Sequence, residues 1–110
     1  MADIVQDNTA LLQITRREVD LYAGTMVGGK LYPVLDDQNQ TYVVIYVDDA
    51  YEDRPAWAVV MARVVGDYVV IDEDTTDKPL VDALMINGGI AREKIILAYT
   101  GETLPEPKPH

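Results

Sequence analysis

Apolar residues near the N-terminus are spaced for one stripe of a helix, from Asp3 to Ala23. The positions that form this stripe are Ile4, Leu11, Leu12, Val19 and Tyr22. Asp3 or Asn8 could cap the helix, and the glycine-rich segment 23–29 could end it. The opposite side carries Arg16, Arg17, Glu18 and Asp20, which we interpret as a solvated face.

The spacing then changes to short apolar runs separated by turn residues, which is typical of strands. Four segments have this pattern: 30–36, 41–48, 56–65 and 68–72. The first contains Pro33, which cannot donate a ladder hydrogen bond and therefore favours an edge position. The segment 36–39 and the pair Gly66-Asp67 are turn sequences, so consecutive strands are predicted to form hairpins.

The helical period returns at Leu80, Val81, Leu84 and Met85, and Gly88-Gly89 provides a stop. Segment 94–101 is a last predicted strand. The sequence thus predicts a single α+β domain over 1–101, with an N-terminal helix, an antiparallel sheet of about five strands and a second helix before the last strand. Residues 102–110 are rich in proline and are predicted to be a disordered tail.

The segment IDEDTTDKPL, residues 71–80, is rich in carboxylates and lies between a predicted strand and a predicted helix. Thr76 or Asp77 could cap that helix, and Pro79 suits its first turn. A calcium loop beginning at Asp72 would need glycine at its sixth position, where the chain has Asp77. We therefore prefer a cap and a solvated loop to a metal site.

A second acidic run, residues 47–53, lies between two predicted strands. It is either a solvated loop or, together with the first run, an anionic surface that binds a basic protein. The residues of this candidate partner-binding acidic patch are Asp48, Asp49, Glu52, Asp53, Asp72, Glu73 and Asp74.

Composition narrows the functional classes. The 110 residues carry a net charge of −10, and the nine basic residues are scattered, so tight direct binding to nucleic acid is disfavoured. Cysteine and serine are absent and the one histidine is His110, which removes the usual nucleophile pairs. No cofactor and no metal ion are expected, and no membrane span or signal peptide is apparent, so we expect a cytoplasmic protein.

The second half of the chain resembles the XisI-type fdxN element excision controlling factors. The resemblance is strongest over residues 63–101 and includes a closing strand with Gly89, Ile90, Glu93, Ile95, Ile96 and Leu97. Asp36 and Tyr42 match positions around the first hairpin, whereas Val47-Asp48-Asp49 replaces a Gly-Trp pair. The resemblance implies a non-enzymatic accessory factor that binds a XisH-like protein and controls programmed DNA excision. It implies no catalytic residue.

Three alternatives remain open from the sequence. The chain could be a metal-dependent hydrolase or nuclease that uses Asp36, Asp72 and Asp74. It could instead inhibit a nuclease-like partner. It could also be a homo-oligomeric scaffold, because nothing in an acidic α+β protein argues against self-association.

Overall fold

The computed structural model describes residues 8–50 and 55–105. It contains two α-helices, α1 (Thr9–Asp20) and α2 (Leu80–Ile86), together with six strands. The strands are β1 (Gly24–Met26), β2 (Gly29–Asp36), β3 (Thr41–Asp48), β4 (Ala56–Val65), β5 (Tyr68–Asp74) and β6 (Ile95–Leu97). Short 3-10 turns at Arg92–Lys94 and Ala98–Thr100 flank β6. The predicted α+β class and both helices are confirmed.

All six strands form one sheet in the order β1-β2-β3-β4-β5-β6. Neighbours are antiparallel except β5 and β6, which are parallel. The predictions of about five strands and of a wholly antiparallel sheet were therefore wrong in detail. The chain runs from β5 through α2 to β6, and the connection passes over one face of the sheet. A crossover of this kind brings the next strand in parallel to the one before it.

The extra strand β1 lies in the segment that was predicted only to end the first helix. Met26 pairs with Gly29 across Val27-Gly28, and Gly28 has a φ of +87°, which a glycine adopts without strain. Helix α1 spans Thr9–Asp20, and the predicted cap Asp3 lies outside the described residues. Asn8 takes the N-cap position, but its side chain donates to the carbonyl of Gly66.

Both helices pack on the same face of the sheet, which we call the covered face. Val19 of α1 and Leu80 and Leu84 of α2 have no exposed surface. They form one core with the inward side chains of the strands, including Tyr42, Val44, Val60, Ala62, Val69 and Ile71. In the part of the chain that the structure describes, no helix is long and apolar enough to cross a membrane.

Within residues 8–50 and 55–105, no helix packs on the other face of the sheet, which we call the open face. Strand register aligns its side chains in rows across the sheet. One row joins Tyr32, Ile45 and Ala58, and the next joins Val34, Val43 and Met61. None of these side chains belongs to the core that the helices cover.

Hydrogen bonds close the outer edge of β6. The Ile95 carbonyl accepts a hydrogen bond from the Arg92 guanidinium at 2.7 Å, and the Ile95 N–H donates to the Arg92 carbonyl. The Leu97 N–H donates to the Glu102 carboxylate at 2.8 Å, while the Leu97 carbonyl accepts from the Glu102 N–H and the Thr100 hydroxyl. No outward backbone group of β6 is left to pair with a further strand.

The opposite edge is blunted by proline. The Asp49 N–H bonds to the Gly28 carbonyl, so even-numbered residues of β2 face β3 and odd-numbered ones face outward. Strand β1 covers only Gly29–Leu31, which leaves Pro33 beyond its end. The nitrogen of Pro33 faces the side of β2 that has no neighbouring strand at this point. The predicted edge position of Pro33 is therefore confirmed.

Glu102, which the sequence placed in the tail, contacts Arg92 and Leu97. Residues 106–110 lie outside the described residues, so a disordered tail over 102–110 stays a prediction.

Candidate partner-binding acidic surface

The acidic end of β5 places its carboxylates on both faces of the sheet. Asp72 lies on the open face, where its two oxygens accept hydrogen bonds from Arg63 Nε and Nη2 at 2.5 and 3.0 Å. This forked pair raises the pKa of the Arg63 guanidinium. Glu73 Oε1 accepts the N–H of Asp74. The charge of Asp72 is therefore matched by a neighbouring cation before any partner arrives.

Asp74 lies on the covered face and fixes the start of α2. Its carboxylate accepts hydrogen bonds from the Thr76 N–H at 2.9 Å and the Leu80 N–H at 2.7 Å. The prediction that Thr76 or Asp77 caps this helix was therefore wrong, and Pro79 takes the N-cap position instead of the first turn. The last residue of β5 thus bonds to a residue beyond a short loop. The spacing of apolar residues in the sequence does not reveal that contact.

The second acidic run begins where β3 ends. Asp48 Oδ1 accepts the Ala50 N–H at 2.7 Å and so stabilises the turn that follows the strand. Asp49 is exposed. Glu52 and Asp53, the other two predicted patch residues on this loop, lie outside the described residues.

Strands β3 and β5 run in the same direction, so both acidic runs begin at the same end of the sheet. Two strand spacings separate them by about 10 Å across the sheet. Asp74 lies beside Val60, whereas Asp48 lies beyond Ala56, which adds roughly 13 Å along the strands. The structure thus brings the two runs to one end of the sheet. Asp48, Asp72 and Asp74 do not all lie on one face of the sheet, however, and each has a different hydrogen-bond partner. A shared role in binding stays a prediction.

The carboxylates of the enzyme alternative also have separate structural contacts. Asp36 accepts hydrogen bonds from the Asn39 N–H and side-chain amide at 3.0 and 2.7 Å, which keeps its pKa below the ordinary value. Asp72 pairs with Arg63, and Asp74 holds the start of α2. Among the described residues, no three acidic or histidine side chains converge as a metal ion requires.

A groove of about 510 Å³ between α1 and α2 contains a buried charge that the sequence analysis misplaced. Glu18, assigned to a solvated face, is 3% exposed. Its carboxylate accepts hydrogen bonds from Arg17 Nε at 2.9 Å and from the Asn87 amide at 3.2 Å. Asn87 is distant in sequence, so helical periodicity alone gave no signal for this contact.

Tyr22 lines the same groove and donates its hydroxyl to the Lys78 carbonyl. Burial, reinforced by the carboxylates of Asp74, Glu18 and Asp82, raises the pKa of Tyr22 to about 12. The hydroxyl is therefore neutral at physiological pH. It fastens the loop before α2 to α1 and is not poised to accept a proton.

The residues that carry the family resemblance have structural roles. Gly89 has a φ of +70°, which lets the chain turn after α2, while Ile90 and Ile95 are buried in the core. Tyr42 is buried and donates its hydroxyl to Asp37 at 3.0 Å. These positions specify the crossover and the first hairpin, and they do not converge on a cavity.

The fold is thus a two-layer α+β sandwich with one sheet face that no described helix covers. The chain belongs to the XisI protein family, whose model matches residues 1–106. No curated protein matches it.

Two solved structures share the fold. A XisI-like protein from Anabaena variabilis superposes with a TM-score of 0.72 at 17% identity, covering 83% of this chain and 85% of that one. The fdxN element excision controlling factor XisI from Anabaena variabilis superposes with a TM-score of 0.58 at 22% identity, covering 82% and 86%.

Proposed function

We propose that this chain is an accessory factor in the control of DNA element excision and that it acts by binding a second protein. The observation that carries the proposal is membership of the XisI family over almost the whole chain. A structure with the same fold bears the name of an excision controlling factor. The chemistry of excision would then belong to another protein.

The proposed mode of action is contact with a XisH-like partner and not with DNA. A chain with a net charge of −10 repels a polyphosphate and attracts a basic protein surface. Within the acidic patch, Asp49 is the best placed to meet such a surface because it is exposed, whereas Asp48 beside it gives one oxygen to the Ala50 N–H. Asp72 and Asp74 already accept hydrogen bonds that a partner would have to replace. A direct contact therefore centres on the loop after β3.

The first experiment is co-purification of the chain with a XisH-like protein. We expect a stoichiometric complex whose dissociation constant rises when salt shortens the Debye length below about 8 Å. Failure to form a complex at low salt, with the chain folded, would remove partner binding from the proposal.

A matched pair of variants tests the surface. Asp48→Asn with Asp49→Asn removes two charges from the loop after β3, and both changes keep a side-chain oxygen that can accept the turn hydrogen bond. The control, Asp20→Asn with Glu93→Gln, removes two exposed charges elsewhere. We expect only the first pair to weaken the complex, by about three- to tenfold. Equal weakening by both pairs would indicate a response to net charge alone.

A further inference from the structure

The outward side chains at the centre of β3 are as apolar as the inward ones. In β3, Tyr42 and Val44 point into the core, while Val43, Ile45 and Val47 point to the open face. An antiparallel sheet with one solvated face normally alternates apolar and polar residues, and continuous apolar runs are typical of strands covered on both sides. In the described part of the chain the helices cover one side only, so the apolar outward residues of β3 and β4 indicate that something else packs on the other side.

We propose that a second copy of this chain covers the open face, so that two sheets pack face to face about a two-fold axis. The contact consists of the outward side chains of β2, β3 and β4: Tyr32, Val34, Val43, Ile45, Val47 and Met61. Tyr32 and Val34 are 44% and 50% exposed in the single chain. This inference concerns the protein alone and does not depend on the proposed function.

The size of the patch fits a modest dimer. Three strands about 4.8 Å apart and about seven residues long present a footprint of roughly 350 Å². Two such footprints with interlocking side chains bury on the order of 1,000 Å² in total, which is near the lower limit for a specific interface. We therefore expect reversible association with a dissociation constant in the micromolar range.

Charges at the ends of β2 make this face complementary to itself. Lys30 and Asp36 lie at opposite ends of the strand on the open face, with Tyr32 and Val34 between them. A two-fold axis that runs across the strands exchanges the ends, so Lys30 of each copy meets Asp36 of the other. Asp36 stays ionised because the hydrogen bonds from Asn39 lower its pKa. A polar rim around an apolar centre is the usual anatomy of an interface.

The two edges of the sheet favour a contact through the face. The outward backbone groups of β6 already have hydrogen bonds, and Pro33 interrupts the unpaired part of β2. Addition of a strand from another copy would therefore find few free donors. The open face presents apolar side chains from three neighbouring strands, β2, β3 and β4.

Sedimentation equilibrium of the full chain between about 1 and 500 μM tests the proposal. The wild type should change from monomer to dimer in this range. Ile45→Lys, which places a charge at the centre of the open face in both copies, should weaken the dimer about tenfold or more. The control is Ile86→Lys, because Ile86 is 80% exposed at the end of α2, in the helix layer on the covered face. It should dimerise like the wild type.

A charge exchange tests the orientation. Lys30→Glu and Asp36→Lys each place like charges opposite one another and should weaken the dimer about three- to tenfold. An equimolar mixture of the two variants restores both ion pairs in the mixed dimer and should associate like the wild type. A mixture as weak as its components would overturn the two-fold arrangement.

A wild type that stays monomeric at 500 μM would overturn the proposal. So would dimers that Ile45→Lys and Ile86→Lys weaken equally. If the wild type is monomeric and Ile45→Lys abolishes binding to the XisH-like protein, the open face belongs to that partner and the second copy is rejected. Circular dichroism of each variant confirms that a loss of association is not a loss of fold.

Discussion

The two faces of the sheet are built from the same strands and from similar residues, yet only one is packed by helices. On the covered face, Val44, Leu80 and Leu84 have no exposed surface, whereas Tyr32 and Val34 on the open face are about half exposed. The strands supply apolar side chains to both faces, so strand composition does not decide which face is the core. The amphipathic helices decide it, because their apolar stripes need one face to cover.

The largest difference between the faces should appear in the free energy of unfolding. Leu84→Ala removes a fully buried side chain from the contact between α2 and the sheet, and should cost about 2–5 kcal/mol. Val34→Ala on the open face should cost less than about 1 kcal/mol at concentrations where the chain is monomeric. Urea denaturation of both variants measures the difference, and comparable losses would mean that the open face is also tightly packed in the single chain.

The two aspartates at the end of β5 sharpen the comparison. Asp74→Ala leaves the Thr76 and Leu80 N–H groups without their acceptor at the start of α2 and should cost about 1–2 kcal/mol. Asp72→Ala breaks a partly exposed ion pair with Arg63 and should cost about 0–1 kcal/mol. Both variants remove one charge, so denaturation at one ionic strength compares them directly. A larger loss for Asp72→Ala would contradict the structural role of Asp74.

A smaller effect depends on pH at the closed edge. The Leu97 N–H and then Arg92 lower the pKa of Glu102 below its ordinary value. A carboxyl whose pKa is lower in the folded state stabilises the fold above its unfolded pKa, and that contribution is lost as the pH falls through the folded value. Glu102→Gln should therefore be less stable than the wild type at pH 7, and the difference should shrink as the pH falls below the unfolded pKa of the carboxyl and then through its lowered folded pKa. Glu93→Gln, an exposed acid on the preceding turn, is the control.

The smallest expected effect is a response to divalent cations. Asp36, Asp72 and Asp74 each have separate hydrogen-bond partners, so Mg²⁺ or Mn²⁺ should not raise the Tm beyond the change caused by NaCl of equal ionic strength. A saturable increase that Asp72→Asn abolishes would revive the hydrolase alternative. The measurement is a thermal melt across a cation titration.

Local pattern was enough to predict the hairpins of β2 to β5 and both helices, because each depends on residues close in sequence. Three features depend on contacts that helical or strand periodicity does not show, and they were missed. Strand β6 pairs parallel with β5 after the crossover through α2, the buried Glu18 accepts a hydrogen bond from Asn87, and Asp74 instead of Thr76 or Asp77 accepts the Leu80 N–H. Strand β1 was missed for a different reason, since its three residues lie inside a glycine-rich turn.

The candidate site was less predictable than the fold. Acidic residues close together in sequence suggested one patch. The pairing of β5 with β4 shifts register between Met61 and Ala62, and this irregularity places Asp72 and Asp74 on opposite faces although they are two residues apart. The family motif identified positions that form the crossover, where Gly89 turns the chain and Ile90 and Ile95 are buried. A charge on the surface can be told from a charge with a structural role only when the direction and the hydrogen-bond partners of the side chain are known.

The Arg92–Glu102 pair at the outer edge of β6 has a consequence for the behaviour of the protein at high concentration. A sheet whose edge strand has unpaired N–H and C=O groups can add identical chains one after another. Apolar strands such as these favour this kind of aggregation. Here the last strand offers no outward group to a newcomer, because Arg92, Thr100 and Glu102 occupy its margin. These hydrogen bonds therefore leave no place for a further strand at this edge, which disfavours aggregation of the protein through β6.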